Sequence, residues 1–270
     1  MWVPDAAHEA LRDLVRAREA AKKDQLRARH RLGKFLLRHG RRPTEAGKAW
    51  TKKYLEWIKT HVRFDQPALE ATLAHYLQEV DHAAEQILKL EKAIDEAVAQ
   101  ASPEIRSVIE ALQALRGVAQ MTAATIVCEL GSLSRFQSPR QLMGYSGLVS
   151  REYSSGNRIQ RGAITKTGNA LARTCLVEAA WTYRFPARVT QIIRDRLNGL
   201  PEPIRNVALE GAGAAFGAIS QADRRRQAGT QGGRGNRTRI GRLHLGDCPN
   251  GRTEIRLIRA LTKRAWQSRR

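Results

Sequence analysis

Residues 67–100 read PALEATLAHYLQEVDHAAEQILKLEKAIDEAVAQ. Leu69, Leu73, Tyr76, Leu77, Val80, Ala84, Ile87, Ile94 and Val98 recur at steps of three and four or their sums. That period predicts one long amphipathic helix from about Pro67 to Gln100. A second stripe of the same kind runs from Asp5 to about His39, through Leu11, Leu14, Val15, Ala21, Ala28, Leu32, Phe35 and Leu36. Arg18 interrupts it. Two such helices in succession favour an antiparallel, coiled-coil-like hairpin, because each has one sticky face to cover. Between them, GRRPTEAGKAWTKKYLEWIKTHVRFDQP (40–67) holds a short helix around Trp50–Val62.

Outward from this arm the pattern shortens. SVIEALQALR ends at Gly117, GVAQM turns the chain, and TAATIVCEL restarts a helix that stops at Gly131. Two short helices around a glycine turn form either a helix-hairpin-helix, whose amides hold phosphate, or an ordinary packed pair. Ser138-Pro139-Arg140-Gln141 has the pattern of a capping box, with the serine as N-cap and proline at the first helical position. It launches QLMGYSG. A further helix starts near Asn169, with Leu171, Cys175, Leu176, Ala179 and Ala180 inward. The expected fold is therefore all-α. It comprises a helical arm over 1–102, a compact helical domain over 103–208, and an irregular basic tail over 209–270.

Composition bounds the class. The 270 residues carry 47 Lys+Arg against 26 Asp+Glu, a net +21, with a pI of about 10.9. Such a balance points to a polyanion, most often nucleic acid. Mean hydropathy is −0.48, and no apolar run approaches the roughly 18 residues of a membrane span, so no membrane partner is expected. The N-terminus, MWVPDAAHEALRDL, lacks the apolar core of an export signal. Cys128, Cys175 and Cys248 show no metal-ligand spacing, which fits free thiols in a reducing cytoplasm.

Between the last two short helices lies REYSSGNRIQRGAITKTGNALAR, 151–173. It reads as a loop in which Ser154 and Ser155 stand beside Gly156, Arg158, Arg161, Lys166 and Arg173. A serine hydroxyl attacks only when activated, and neighbouring cations stabilise charge on a phosphoryl group. The segment has no GxSxG elbow and no His or Asp at a recognised spacing. On residue types alone, a basic loop contacting phosphate outweighs a nucleophile. The arm histidines His30, His39, His61, His75 and His82 read as surface residues.

Two stretches carry a resemblance. VPDAAHEALRDLVRARE resembles the entry to the helical arm of the DEDD/serine transposases of bacterial insertion sequences, the 110/1111 type guided by a bridge RNA. Residues 115–173, from LRGVAQMTAATIVCELGSLSRFQSPRQLMGYSGLVSREYSSGNRIQ to RGAITKTGNALAR, resemble the core of that family's C-terminal domain. The likeness extends to about Ala208. It implies DNA transposition through strand exchange, with the serine directly before the glycine as DNA nucleophile. That role falls on Ser155, with Ser154 second. Gly156, Lys166, Gly168, Asn169 and Arg173 match further motif positions; Lys166 and Arg173 become phosphate clamps, or Arg173 a structural residue. Arg158 and Arg161 join them as phosphate contacts. The sequence departs from the family at GVAQ, usually GVG, and at Ser150, usually proline.

The resemblance also implies DNA and a guide RNA as partners, an oligomer joined through the arm, and an N-terminal RuvC-like domain with four carboxylates holding Mg2+. That domain is expected to have ended before Met1; Asp5, Glu9 and Asp13 read as solvated helix charges, so no metal or other cofactor is expected on this chain. A chain so truncated would be an inactive or partial remnant. The alternative is a non-catalytic helical protein that binds nucleic acid.

The tail departs too. Val207-Ala208 begins the family's terminal pattern, but LEGAGAAFGAISQADRRRQAGTQGGRG follows. Read one nucleotide over with GC-rich codons, GNRTRIGRLHLGD can yield AIARELAAFIWA, which predicts a frameshift near Leu209. Residues 209–270 hold 14 Lys+Arg against 4 Asp+Glu, a net +10. Subtracting this from +21 leaves +11 on residues 1–208, so nearly half the basicity lies in the tail.

Overall fold

The computed structural model describes residues 4–42, 49–186, 188–206 and 208–209. The expected tail and frameshift therefore lie outside the described residues, apart from Ala208 and Leu209. Eight α-helices and one two-stranded hairpin are named below, all among the described residues, and the fold class is mostly α as its periodicity requires. No helix among the described residues is long and apolar enough to cross a membrane. The chain divides into two compact units, Asp13–Ala97 and a second that joins the N-terminal residues through Arg12 to the chain from Val98 on.

In the first unit, α1 (Ala6–Arg38) and α3 (Pro67–Gln100) run antiparallel. Their cross-links define the register: Arg18 Nε donates to Glu91 at 2.8 Å, and Arg31 reaches Glu79 at 3.4 Å. A step forward along one helix is a step back along the other. α2 (Lys52–His61) starts at Thr51, whose hydroxyl accepts from the Tyr54 amide, and closes over the arm's end. Ala28, Leu32, Phe35, Leu36, Tyr54, Ile58, Val62, Leu73 and Val80 form the core there. Phe35 meets Phe64 and Tyr76 edge-on, an arrangement aromatic quadrupoles favour. His39 joins this cluster against Phe35 and Phe64 and is half-buried, not the surface residue its sequence suggested.

In the second unit α5 (Gln120–Leu130) is the central element. Every residue from Ala123 to Leu130 is buried, because α4 (Pro103–Gln113) packs on one side and α7 (Ala170–Trp181) on another. On α7 the inward face is Ala172, Leu176, Val177 and Ala179. Leu171, Cys175 and Ala180, expected inside, are only half-buried, since the face is rotated toward Ala172. Gly117, at φ +84°, closes against α7: a Cβ there would stand 2.5 Å from Thr182 Oγ1 and 2.6 Å from Ala179 O. The turn between α4 and α5 thus packs on the protein itself, and Arg116 fastens it by donating to the carbonyls of Thr182, Phe185 and Pro186.

Candidate functional site

The serine segment is a β-hairpin rather than a loop. β1 (Ser150–Glu152) pairs antiparallel with β2 (Arg161–Ile164), with Ser150 opposite Ile164 and Glu152 opposite Arg161. Beyond β1 the ladder continues: Tyr153 N donates to Gln160 O at 2.8 Å, and Ser155 and Arg158 exchange both backbone bonds at 3.1 Å. Gly156 and Asn157 are then the two residues of the turn. Gly156 has φ +54°, and Asn157 is not among the positive-φ residues. That is the type II′ pattern, with glycine first. The signal lay in Ser-Gly-Asn-Arg, a two-residue Gly-Asn turn; strands this short and this exposed hide their alternation.

Side chains alternate along a strand, and here the alternation separates the two serines. Ser154 shares a face with Glu152: its hydroxyl donates to Glu152 Oε1 at 2.7 Å and accepts from Gln160 N at 3.2 Å. Ser155 falls on the other face with Arg151 and Tyr153. Gly162 lies under that face; a Cβ there would meet the Tyr153 ring at 3.4 Å and Arg151 Cβ at 3.7 Å. Ser155 is exposed, and among the described residues its hydroxyl meets no hydrogen-bond partner. Arg151 and Tyr153 were not singled out from sequence, because only the hairpin register assigns them to the serine's face.

The cations do not all gather at the serine. Arg158 sits across the turn from Ser155, and Arg161 opens β2 opposite Glu152. Lys166, Gly168, Asn169 and Arg173 lie at the hairpin's base, beyond Ile164, the ladder's last residue, which is itself about 20 Å from Arg158 at 3.3 Å per residue. That base is built tightly. Lys166 has φ +58° and donates its amide to Gly147 O at 3.0 Å. A Cβ on Gly168 would stand 1.9 Å from Tyr145 O, and one on Gly147 2.1 Å from Thr167 O. Arg173 Nη1 donates to Ser146 O and Thr167 O, both at 3.0 Å, so this guanidinium ties the loop to the end of α6 (Pro139–Tyr145).

Asn169 is the N-cap of α7, its Oδ1 accepting from Ala172 N at 2.9 Å while its Nδ2 donates to Glu129, which is buried. Sequence reading matched Asn169 to a motif without finding Glu129, which comes from the distant α5. Beside it, Cys128 O receives Arg12 Nε at 2.9 Å and lies 3.1 Å from His8 Nε2. Burial pushes the Cys128 thiol up from 9.0 to about 12, Arg12 opposing and Glu129 adding to the shift. Asp5 is not simply solvated: Oδ1 accepts from His8 N at 2.7 Å and caps the start of α1. Among the described residues no group of three or more His, Cys, Asp or Glu is placed to hold a metal ion; no step below runs through one.

Residues 109–194, from α4 through the hairpin and α7 into α8 (Gln191–Leu197), match the model of the transposase IS116/IS110/IS902 family. Over these residues the chain is similar to that family. The match covers the end of α4, the whole of α5 and α7, and the serine hairpin with its base. A Sinorhizobium fredii protein named as transposase y4qE is 41% identical over 211 residues, covering 77% of this chain and 49% of the relative. The transposase for insertion sequence element IS1533 of Leptospira borgpetersenii is 31% identical over 199 residues, 73% of this chain and 57% of its own length. The transposase for IS1111A of Coxiella burnetii is 35% identical over 92 residues, 32% of this chain and 25% of its own. The chain spans about half the length of the first two relatives.

Proposed function

We propose that this chain carries the serine half of a DNA transposase, with Ser155 as the nucleophile. The observation that carries this reading is the split between the serines. Ser154 spends its hydroxyl on Glu152 and Gln160, while Ser155 presents a free hydroxyl at the tip of a basic hairpin. In the step, Ser155 Oγ bonds to a DNA phosphorus and the P–O bond to one flanking deoxyribose breaks. The serine proton passes to a base, and the departing oxygen takes up a proton. Strand exchange is the reverse attack by another strand's hydroxyl on the phosphoserine link.

The face with Arg151, Tyr153 and Ser155 receives the DNA, since Glu152 on the other face repels phosphate. Arg158, in register with Ser155, is nearest the reacting phosphate, whereas Arg161 is in register with Glu152 and is at most a peripheral phosphate contact. Lys166 meets a phosphate further along the strand, and Arg173 holds the base together while lending charge. Gly156, Gly168 and Asn169 hold the backbone that positions these groups. A two-stranded ribbon of this width fits a B-DNA major groove. Guide RNA, oligomerisation through the arm and Mg2+ in a RuvC-like domain belong to the same reading.

The test uses labelled insertion-sequence-end DNA and bridge RNA with the chain, and in parallel with a full-length form. An adduct that survives denaturation and maps to Ser155 by tryptic mass spectrometry is the expected result. Ser155→Ala abolishes it, whereas Ser154→Ala retains it at a reduced level. An undiminished adduct in Ser155→Ala ends the assignment. Among the described residues no base contacts Ser155, and that observation favours the second reading, a non-catalytic nucleic-acid binder. DNA retained without adduct in every form would establish it.

A further inference from the structure

The arm segregates its charge. α1 holds 10 Lys+Arg and 4 Asp+Glu, a net +6, whereas α3 holds 2 and 7, a net −5. Within α1 the cations are sorted again. Lys23, Arg27, His30, Lys34 and Arg38 follow at intervals of 4, 3, 4 and 4, and at 100° per residue they fall within an arc of about 80°. All five are exposed. They lie opposite the face that buries Ala28, Leu32, Phe35 and Leu36. The row is about 22 Å long at 1.5 Å per residue, and Arg41 and Arg42, also exposed, continue beyond its end.

Internal pairing does not account for this row. The ion pairs to α3 use Arg18, within the apolar seam, and Arg31, on the flank, with Glu91 and Glu79. Arg27 pairs with Asp24 at 2.8 Å, but both side chains are at least 60% exposed, so that pair is weak. Lys23, Lys34 and Arg38 have no carboxylate within ion-pair distance among the described residues. The Arg38 guanidinium lies 5.9 Å from the Phe35 ring and that of Arg41 5.3 Å from Phe64, which holds these heads in place before anything binds. Any amphipathic helix turns its charges to solvent; what sets this face apart is their sign, with Asp24 the only acid between Lys23 and Arg38.

We infer that the outer face of α1, from Lys23 to Arg38, is a binding site for the phosphate backbone of a nucleic-acid duplex, separate from the serine hairpin. The ligand is a duplex because the row is straight and spaced at one cation per helical turn. A rigid ladder of this kind meets a regular array of phosphates without bending it. Charge is what the row offers, so the site is sequence-independent. The inference does not depend on Ser155 being a nucleophile.

The test is anisotropy with labelled 30-base-pair DNA and RNA duplexes of arbitrary sequence, titrated with the whole chain from 50 to 300 mM KCl. Combined Lys23→Gln, Lys34→Gln and Arg38→Gln is expected to lower the slope of log K against log salt by about 2.7, at 0.9 per lost phosphate contact. Lys89→Gln with Lys92→Gln on α3 leaves the slope unchanged. Circular dichroism checks that the exposed substitutions keep the helices. A fall confined to one duplex assigns the row to DNA or to RNA. The inference is overturned by a slope change below 1, or by an equal change in the α3 variant. It is also overturned if the triple variant loses only self-association in sedimentation, which would make the acidic α3 of a second copy the occupant.

Discussion

At the scale of single residues, four glycines with positive φ do different work. Gly147 and Gly168 are locked by a neighbouring backbone, and Gly117 by the end of α7, whereas Gly156 at the hairpin tip has nothing within 4 Å of a Cβ position. Gly168→Ala therefore combines left-handed strain with overlap and is expected to cost about 3 kcal/mol. Gly156→Ala carries the strain alone, about 1 kcal/mol. Urea midpoints for the two variants measure the difference, and equal midpoints would refute the tight base. Two buried acids give a second prediction. Cys128 is raised from 9.0 to about 12, and Tyr183 from 10.0 to about 12, each first by burial. A raised acid stays protonated in the folded state while the unfolded chain ionises. Its contribution is whole below about pH 9 and lost as pH rises toward 12. The urea midpoint should fall between pH 9 and 11, and Cys128→Ala with Tyr183→Phe should flatten that fall. The serine pair was legible only in part: adjacency to glycine marked Ser155, but nothing in the sequence says that Ser154 is tied to Glu152.

At the scale of elements, the arm's interruption at Arg18 has a structural answer in Glu91. The pair lies partly buried within an apolar seam, so losing one partner strands the other. Arg18→Ala is expected to cost about 2 kcal/mol, while Arg18→Leu combined with Glu91→Leu restores the seam and is neutral or stabilising. Thermal unfolding of the two variants decides this; a double leucine variant as weak as the single alanine would assign the pair real net stability. On α7, Asn169→Ala removes both the N-cap and a partner of buried Glu129, an expected loss of about 2 kcal/mol. Asn169→Asp keeps the cap acceptor but sets a second carboxylate against Glu129, so it should not restore the midpoint. The long helices and their ends were readable because 33- and 34-residue periods are hard to mistake. The hairpin was not, because its strands have three and four residues and no buried face.

At the scale of the molecule, two cores exist. Ile58 and Ile126 are each nearly inaccessible to solvent, one in each unit. Ile58→Ala is expected to cost 2–5 kcal/mol, on the order of any large-to-small core change. Hydrogen exchange should show that loss concentrated in amides of residues 28–80 rather than in α5. Equal loosening of both regions would mean one cooperative core. Basic character likewise divides: net +11 belongs to residues 1–208 and +10 to the rest, and within the arm it concentrates on one face of α1. The sequence by itself determined the helices, the arm, the capped start at Ser138, a helix start near Asn169, and the family resemblance of residues 115–173. Each of these is written in local period, local caps or contiguous motif. Only the tertiary structure decided which serine is free, which cations stand near it, and why Asn169 and Arg173 are where they are. Those outcomes depend on hydrogen bonds and register between residues far apart in the chain, and such pairings leave no local trace.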